Sequence, residues 1–216
     1  ARLSERPELP WTFRVVDDPI VNAFAVPGGY IYITRGILAH CNSEAELAAV
    51  LGHEIGHITA RHSATQMSRA MLAQLGVGAV QVLAPDAAGA AELASAGLGL
   101  LFLKYGRDDE RQADDLGLRY MRAAGYDVSQ MAGVFEMLGR VSGGEGAGGV
   151  PSWLSTHPAP EDRRERTKAQ VAADPSPPNA IVGRESFLRR LDGHVYGEDP
   201  RQGFFEGERF LHPTLE

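Results

Sequence analysis

The first 40 residues show short runs of hydrophobic positions separated by turn signals, a pattern that predicts strands. The segments Trp11–Val16 and Ala23–Thr34 are rich in β-branched and aromatic residues, and Pro27-Gly28-Gly29 interrupts the second one. We therefore predict one strand followed by a hairpin. The last strand, Tyr30–Thr34, could offer a free edge to an extended polypeptide or lie inside the core, and the sequence favours neither.

After residue 42 the hydrophobic positions recur at helical spacing. Ser43 and Glu46 form a capping-box signature, and apolar residues follow as far as Ile55, which predicts a long helix that begins near residue 43. Further helices are predicted over 108–124, 129–138 and 159–173, together with two apolar helices within 71–103 that are separated at Pro85-Asp86.

These elements predict a mainly helical α+β fold, in which a small edge sheet or hairpin packs on the helix that begins near residue 43. We expect residues 1–173 to form one compact domain. The glycine-rich segment 143–149 is predicted to be a flexible loop. Residues 174–216 begin with a proline-containing, linker-like stretch and are expected to pack on, or trail from, that domain.

Composition narrows the classes of function. The formal net charge of −7 argues against nucleic-acid binding, which needs a basic surface. The single cysteine, Cys41, cannot form an internal disulfide. The uncharged stretches 70–85 and 93–103 are both shorter than the roughly 20 apolar residues of a membrane-spanning helix, so no span is expected. The first residues show no signal-peptide pattern, so localisation must come from elsewhere.

The sequence His53-Glu54-Ile55-Gly56-His57 carries the strongest chemical signal. Residues four apart on an α-helix differ by about 40° around its axis, so His53 and His57 can face one metal ion. Glu54 lies about 60° from His57, close enough to reach a water beside the ion without binding the ion. We interpret the histidines as zinc ligands and Glu54 as the general base of a metallopeptidase. A chance match on a polar helix is the alternative.

A catalytic zinc site usually has three protein ligands, so one more is needed. Glu110 is the best candidate, because Asp114 follows one turn later on the same helix face and could accept the outer N–H of a ligand histidine. The alternative is that these acidic residues only complement the helix dipole. Continued along the first helix, His62 lies about 180° from His53, so we expect it to point away from the metal. Solvated side chains are expected for His40, His194 and His212.

Several motifs together resemble one known family. These are HEIGHITARH at 53–62, ERQAD at 110–114, STHPAPEDR at 155–163 and NAFAVPGGYIYITRGIL at 22–38, and they resemble the zinc metallopeptidases that include the CAAX prenyl proteases, HtpX and BepA. The resemblance implies one zinc ion per chain, held by His53, His57 and Glu110 as in gluzincins. It also implies that Glu54 is the base and that Asp114 supports a ligand from behind.

Within this family the chain is more similar to the soluble BepA-like branch, because its apolar segments are too short for the membrane helices of HtpX relatives. This similarity implies periplasmic or cell-envelope localisation and a role in outer-membrane protein quality control. BepA also has a C-terminal tetratricopeptide domain, and residues 174–216 show no such repeat, so partners of that domain are not carried over.

The favoured function is a zinc endopeptidase that cleaves unfolded or misfolded envelope polypeptides with metal-activated water and Glu54 as general base. A chaperone-like quality-control or assembly factor with a normally latent protease site is the alternative. A structural zinc protein is disfavoured, since structural sites are closed by four protein ligands, often cysteines. No nucleic-acid partner is expected, and peripheral association with a membrane stays open.

His157 and Arg163 are the candidates for stabilising the oxyanion that forms when a peptide carbonyl is attacked. The sequence does not choose between them. Two other interpretations of His157 stay open: it could occupy the open zinc position and keep the enzyme latent, as the resemblance to BepA implies, or it could only turn the chain into the next helix.

Overall fold

The computed structural model describes residues 1–82, 104–143, 152–157, 160–197, 199, 201, 204–206 and 209–211. Its strands are Thr12–Val16 (β1), Ala23–Val26 (β2), Tyr30–Thr34 (β3), Phe204–Glu206 (β4) and Arg209–Leu211 (β5). Its helices are Arg35–His40 (α1), Glu44–Thr59 (α2), His62–Val82 (α3), Arg107–Ala123 (α4), Gln130–Gly143 (α5), Ser152–Thr156 (α6), Pro160–Ala173 (α7) and Arg184–Arg190 (α8). The prediction of a mainly helical α+β fold is confirmed.

β3 is the central strand of a three-stranded sheet. It pairs with β2 in antiparallel and with β1 in parallel orientation, so that Tyr30 lies opposite both Val26 and Thr12. Gly28 and Gly29 have φ angles of 102° and 99°, which allow the tight turn between β2 and β3. Because both sides of β3 are paired, the interpretation that Tyr30–Thr34 offers a free edge to substrate is wrong, and the inner-strand interpretation is confirmed.

α2 begins at the predicted position because its first turn is capped from both directions. The Glu46 backbone N–H donates to Ser43 Oγ at 3.1 Å, and the Asn42 backbone N–H donates to Glu46 Oε2 at 2.6 Å. The apolar side of α2 packs on the sheet, where Ile55 and Ile58 share a buried cluster with residues of β2 and β3. The sheet therefore packs on α2, the helix that carries His53, Glu54 and His57, as predicted.

Glycines let α2 and α4 cross at very short distance. A Cβ atom on Gly52 would lie 3.2 Å from the Gly117 Cα, and one on Gly56 would lie 2.9 Å from the Ala113 carbonyl oxygen. Larger side chains at these positions would push the two helices apart. This close packing brings the HEIGH and ERQAD segments side by side.

The main core lies between α2, α4 and α5, and two later helices add to it. Trp153 of α6 and Phe187 of α8 are both buried in this cluster. Residues after 173 also contact the earlier elements, since the Ala45 backbone N–H donates to the Val182 carbonyl at 3.1 Å. The division of the chain at residue 173 stays a prediction.

The remaining helix predictions match the described parts of the chain. The helices predicted over 108–124, 129–138 and 159–173 correspond to α4, α5 and α7. The predicted break at Pro85-Asp86 and nearly all of the predicted loop 143–149 lie outside the described residues. Across the described ranges, no helix has the length and apolar character required to cross a bilayer.

Candidate metal centre

Four buried side chains from three parts of the chain converge on one point between α2, α4 and the end of α6. They are His53, His57, Glu110 and His157, and the four donor atoms that they offer all lie within 4.8 Å of one another. α2 supplies both histidines of the HEIGH segment, and α4 supplies the glutamate. The residues predicted as metal ligands from spacing and resemblance are therefore adjacent.

The spacing of the donor atoms fits a single tetrahedral ion. His53 Nε2 lies 3.0 Å from His57 Nε2 and 3.6 Å from Glu110 Oε2, and His57 Nε2 lies 3.4 Å from Glu110 Oε1. Donors about 2.0–2.1 Å from a tetrahedral ion are about 3.3–3.4 Å apart. Two imidazole nitrogens and a carboxylate oxygen are also a donor set that suits zinc.

The protonation states favour metal binding. Burial lowers the pKa of His57 well below its ordinary value, so its imidazole is neutral and can use a nitrogen lone pair. Burial alone would raise the pKa of Glu110, but His157, His57 and Arg163 together lower it far below its usual range. Glu110 is therefore an ionised carboxylate in the interior.

Asp114 lies behind His53, as the sequence predicts. Its Oδ1 is 2.9 Å from His53 Nδ1, so it can accept the N–H of that nitrogen and leave Nε2 free for a metal. Burial would raise the pKa of Asp114, yet the charge and hydrogen bonds of Arg163 lower it. This carboxylate is thus held in the charged form that accepts from His53.

Arg163 joins the two buried carboxylates. Its Nε donates to Asp114 Oδ2 at 2.7 Å, one terminal nitrogen donates to Asp114 Oδ1 at 2.6 Å, and the other terminal nitrogen contacts Glu110 Oε2. The guanidinium also lies over the rings of Phe135 and Trp153. These contacts place the charge of Arg163 against the two carboxylates, so its predicted oxyanion role gains no support from this geometry.

Glu54 is fully buried beside the donor cluster and has one uncommitted oxygen. Trp153 Nε1 donates to Glu54 Oε1 at 3.2 Å. Glu54 Oε2 has no hydrogen-bond partner among the described residues. A buried carboxylate oxygen without a partner is costly, and such a group is typical of a site that handles a proton. Trp153 was not identified from the sequence, because it lies 99 positions from Glu54 with no shared motif.

His157 supplies the fourth potential donor atom of the cluster. Its Nδ1 lies 2.8 Å from Glu110 Oε1 and 3.2 Å from His53 Nε2, and its ring stacks on Trp153 with a centroid distance of 4.4 Å. It is 1% exposed, as expected for a donor in the interior rather than for a residue that only turns the chain. A set of four protein donors leaves no open position on a tetrahedral ion.

His62 does not point away from the cluster, so that expectation is wrong. α2 ends at Thr59, and Arg61 has a φ of 62°, so His62 begins α3 instead of continuing the first helix. Its Nδ1 lies 3.0 Å from His57 Nδ1. No helix-breaking residue type stands between His57 and His62, so this turn has no signal in the sequence.

Three further histidines, His40, His194 and His212, are expected to be solvated. His194 Nε2 lies 3.0 Å from the Arg35 carbonyl oxygen, and His40 packs edge-on against Tyr196. Both are half-buried, so their side chains are only partly solvated, and neither belongs to the cluster of donor atoms; His212 lies outside the described residues.

Comparison with known proteins agrees with this geometry. Residues 1–171 match Peptidase family M48. The chain is 38% identical over 158 residues to mitochondrial metalloendopeptidase OMA1 of Arabidopsis thaliana, covering 72% of this chain and 30% of that protein. It is 30% identical over 201 residues to the beta-barrel assembly-enhancing protease of Yersinia pestis, covering 88% of this chain and 40% of that protein. The chain therefore spans less than half the length of these curated relatives.

Proposed function

This chain belongs to peptidase family M48 and carries the domain of a metalloprotease, and on that premise we propose that it is a zinc-dependent endopeptidase for unfolded or misfolded polypeptides of the cell envelope. The observation that supports this most strongly is the position of Glu54. Its Oε2, which has no hydrogen-bond partner in the part of the chain that the structure describes, lies in the interior beside a donor set that fits one zinc ion. A structural metal site has no use for such a base.

Each residue of the cluster has a separate task in this proposal. His53, His57 and Glu110 hold the zinc ion, and Asp114 keeps His53 in the tautomer that binds it. When bound, zinc supplies the Lewis acidity that polarises the peptide carbonyl and acidifies the attacking water.

Glu54 then moves the proton. Its Oε2 accepts the proton from the attacking water and later delivers it to the amine of the leaving group. Trp153 holds the other oxygen of Glu54, which fixes the direction of the carboxylate and leaves Oε2 as the atom for this transfer.

A latent resting state is favoured by His157. Because this residue completes a set of four protein donors, the metal position needed by water is occupied until His157 moves away. This arrangement favours the second candidate function, a chaperone-like quality-control or assembly factor whose protease site is normally closed. The similarity to proteins named beta-barrel assembly-enhancing protease supports the same function and the proposed periplasmic or envelope location.

One assay on zinc-loaded protein tests both functions. We expect wild-type protein to cleave an unfolded substrate, such as reduced and carboxymethylated casein, slowly, and His157→Ala to cleave it faster at equal zinc content. Glu54→Gln is the matched control, because glutamine has the size of glutamate and should leave zinc bound. Without the general base, its turnover should fall by about 100- to 10,000-fold. Chelation should stop cleavage by His157→Ala, and zinc should restore it.

The outcomes separate the interpretations of His157. If zinc-loaded His157→Ala cleaves no faster than Glu54→Gln while wild type does cleave, His157 is the oxyanion donor and the latent state is refuted. Equal rates for wild type and His157→Ala leave His157 a purely structural role. If neither wild type nor His157→Ala exceeds Glu54→Gln on any unfolded substrate, the endopeptidase proposal is contradicted.

A further inference from the structure

We infer that His62, supported by Gln112, is a positioning residue that fixes the tautomer and orientation of His57 for metal binding. His62 Nδ1 lies 3.0 Å from His57 Nδ1, and His62 Nε2 lies 3.0 Å from Gln112 Oε1. The inference rests on the proposed zinc site at His57. It gives His57 an outer partner of a different kind from the carboxylate behind His53.

The proton positions in this chain of contacts follow from a single requirement. If His57 binds metal through Nε2, its only ring proton lies on Nδ1, which faces His62. His62 Nδ1 must then be an unprotonated acceptor, so the proton of His62 lies on Nε2. That N–H faces the Gln112 oxygen at 3.0 Å and the Asp109 Oδ1 at 3.6 Å, both of which are acceptors.

Each hydrogen-bond donor and acceptor in the series from His57 through His62 to Gln112 therefore has a compatible partner. The opposite tautomer of His62 would place two N–H groups against each other at His57 and would face a lone pair towards the oxygen of Gln112. Both ring nitrogens of His62 are engaged, so the residue is not a further metal ligand.

The same turn also fixes the plane of the His57 ring. Tyr105 stacks on His57 with a centroid distance of 3.8 Å and an interplanar angle of 25°. The Tyr105 hydroxyl lies 2.8 Å from Ser63 Oγ, and Ser63 directly follows His62. Consecutive residues at the start of α3 thus hold the edge of the His57 ring and the aromatic ring that covers its face. His62 is 6% exposed, so water does not readily replace it.

Substitution at position 62 tests the role through zinc affinity, measured by competition with a chromogenic chelator. We expect His62→Leu to bind zinc about 10- to 100-fold more weakly than wild type, as is typical when the outer partner of a ligand histidine is lost. His62→Gln should recover most of the affinity, because an amide offers one acceptor and one donor in place of the two ring nitrogens. A role in packing alone would not distinguish these two variants by their hydrogen bonding.

Three further variants keep the test decisive. His194→Leu removes a half-buried histidine that is bonded to the Arg35 carbonyl, away from the cluster, and its zinc affinity should equal that of wild type. Gln112 is exposed, so Gln112→Leu should fold and should weaken zinc binding by a smaller factor, on the order of threefold, while Gln112→Glu keeps an acceptor.

The result separates this inference from the proposal on which it rests. A wild-type protein that does not bind zinc contradicts both the proposed function and the role inferred for His62. If wild type binds zinc tightly and His62→Leu binds it equally tightly, the positioning role is overturned and the metal site remains. If His62→Leu does not fold, the same comparison is made with Gln112→Leu.

Discussion

The two histidines of α2 are supported in different ways. His53 is backed by charge: Asp114 accepts from its ring, and Arg163 bridges Asp114 to the buried Glu110. His57 is backed by neutral groups, namely His62 on its outer nitrogen and Tyr105 on its face. A carboxylate both orients an imidazole and makes it a stronger ligand, whereas a neutral acceptor mainly orients it. We call Asp114, Arg163 and Glu110 the charged side of the site, and His62 and Tyr105 the neutral side. The charged side should therefore tolerate substitution less well than the neutral side.

The charged side carries its own cost. Three ionised groups lie in the interior there, and each depends on its neighbours, because a buried ion pair that loses one member leaves an uncompensated charge. Behind His57 the contacts with His62 and Tyr105 are a hydrogen-bonding contact and a stacking contact, and the Asp109 carboxylate lies 3.6 Å from His62 Nε2. This difference predicts an order of effects when members of the two sides are replaced one at a time.

The largest effect on metal binding is expected at Glu110, which is both a proposed ligand and a member of the charged side. Glu110→Ala should lose zinc as completely as His53→Ala, well beyond the roughly 10- to 100-fold cost of losing an outer partner. Zinc content after gel filtration, measured by atomic absorption, checks this result. A Glu110→Ala protein that retains one zinc per chain would move the third ligand elsewhere.

The parts of this site that could be predicted from the sequence are those held on regular helices. Glu110 and Asp114 are four apart on α4, as His53 and His57 are on α2, and helical geometry alone puts each pair on one face. The approach of those two helices depends on glycine contacts such as Gly52 with Gly117, whose partners are not identifiable without the fold.

The parts that were missed depend on local departures from regularity or on distant contacts. His62 reaches His57 only because the chain turns at Arg61 with a positive φ, which is uncommon for a residue with a side chain. The central position of β3 depends on β1 crossing to its far side, and pattern alone does not give strand order. Trp153 reaches Glu54 through tertiary packing.

A smaller effect is expected at Asp114, which contacts the proposed ligand His53 and is not itself a proposed ligand. Asp114→Asn should weaken zinc binding by about 10- to 100-fold, because the amide keeps the shape but loses the charge that faces His53 and Arg163. At equal expression and folding, its loss should be at least as large as that of His62→Leu. An unchanged zinc titration for Asp114→Asn would remove the distinction between the charged and neutral sides.

The smallest effect is a difference in acid sensitivity, visible in zinc-free protein. Burial lowers the pKa of His57 in the folded protein. Below the unfolded value of about 6.5, the unfolded state binds a proton at this residue and the folded state does not, so the free energy of unfolding falls with the pH. Burial would raise the pKa of Asp114, but Arg163 lowers it in the folded protein. Ionised Asp114 therefore adds to the free energy of unfolding above about pH 4, and this stabilisation is lost at lower pH. The neutral side should therefore weaken first on acidification.

Urea unfolding of zinc-free protein from pH 7.5 to 3.5 measures this order. Each group that titrates contributes a slope of up to about 1.4 kcal/mol per pH unit to the free energy of unfolding. His57→Gln should reduce the decline between about pH 6.5 and 5, and Asp114→Asn should reduce the decline below about pH 4.5. The same pH profile for both variants would contradict the assignment of the two sides to separate pH ranges.

The proposed zinc site consists of His53, His57 and Glu110 as ligands, with His157 as the fourth donor. A crystal structure of zinc-loaded protein, with anomalous diffraction recorded on both sides of the zinc absorption edge, tests it most directly. We expect one anomalous peak per chain, about 2.0–2.2 Å from both α2 histidine Nε2 atoms and from a Glu110 oxygen, with His157 Nδ1 completing the tetrahedron. No peak at this position, or a peak whose ligands exclude Glu110, would contradict it.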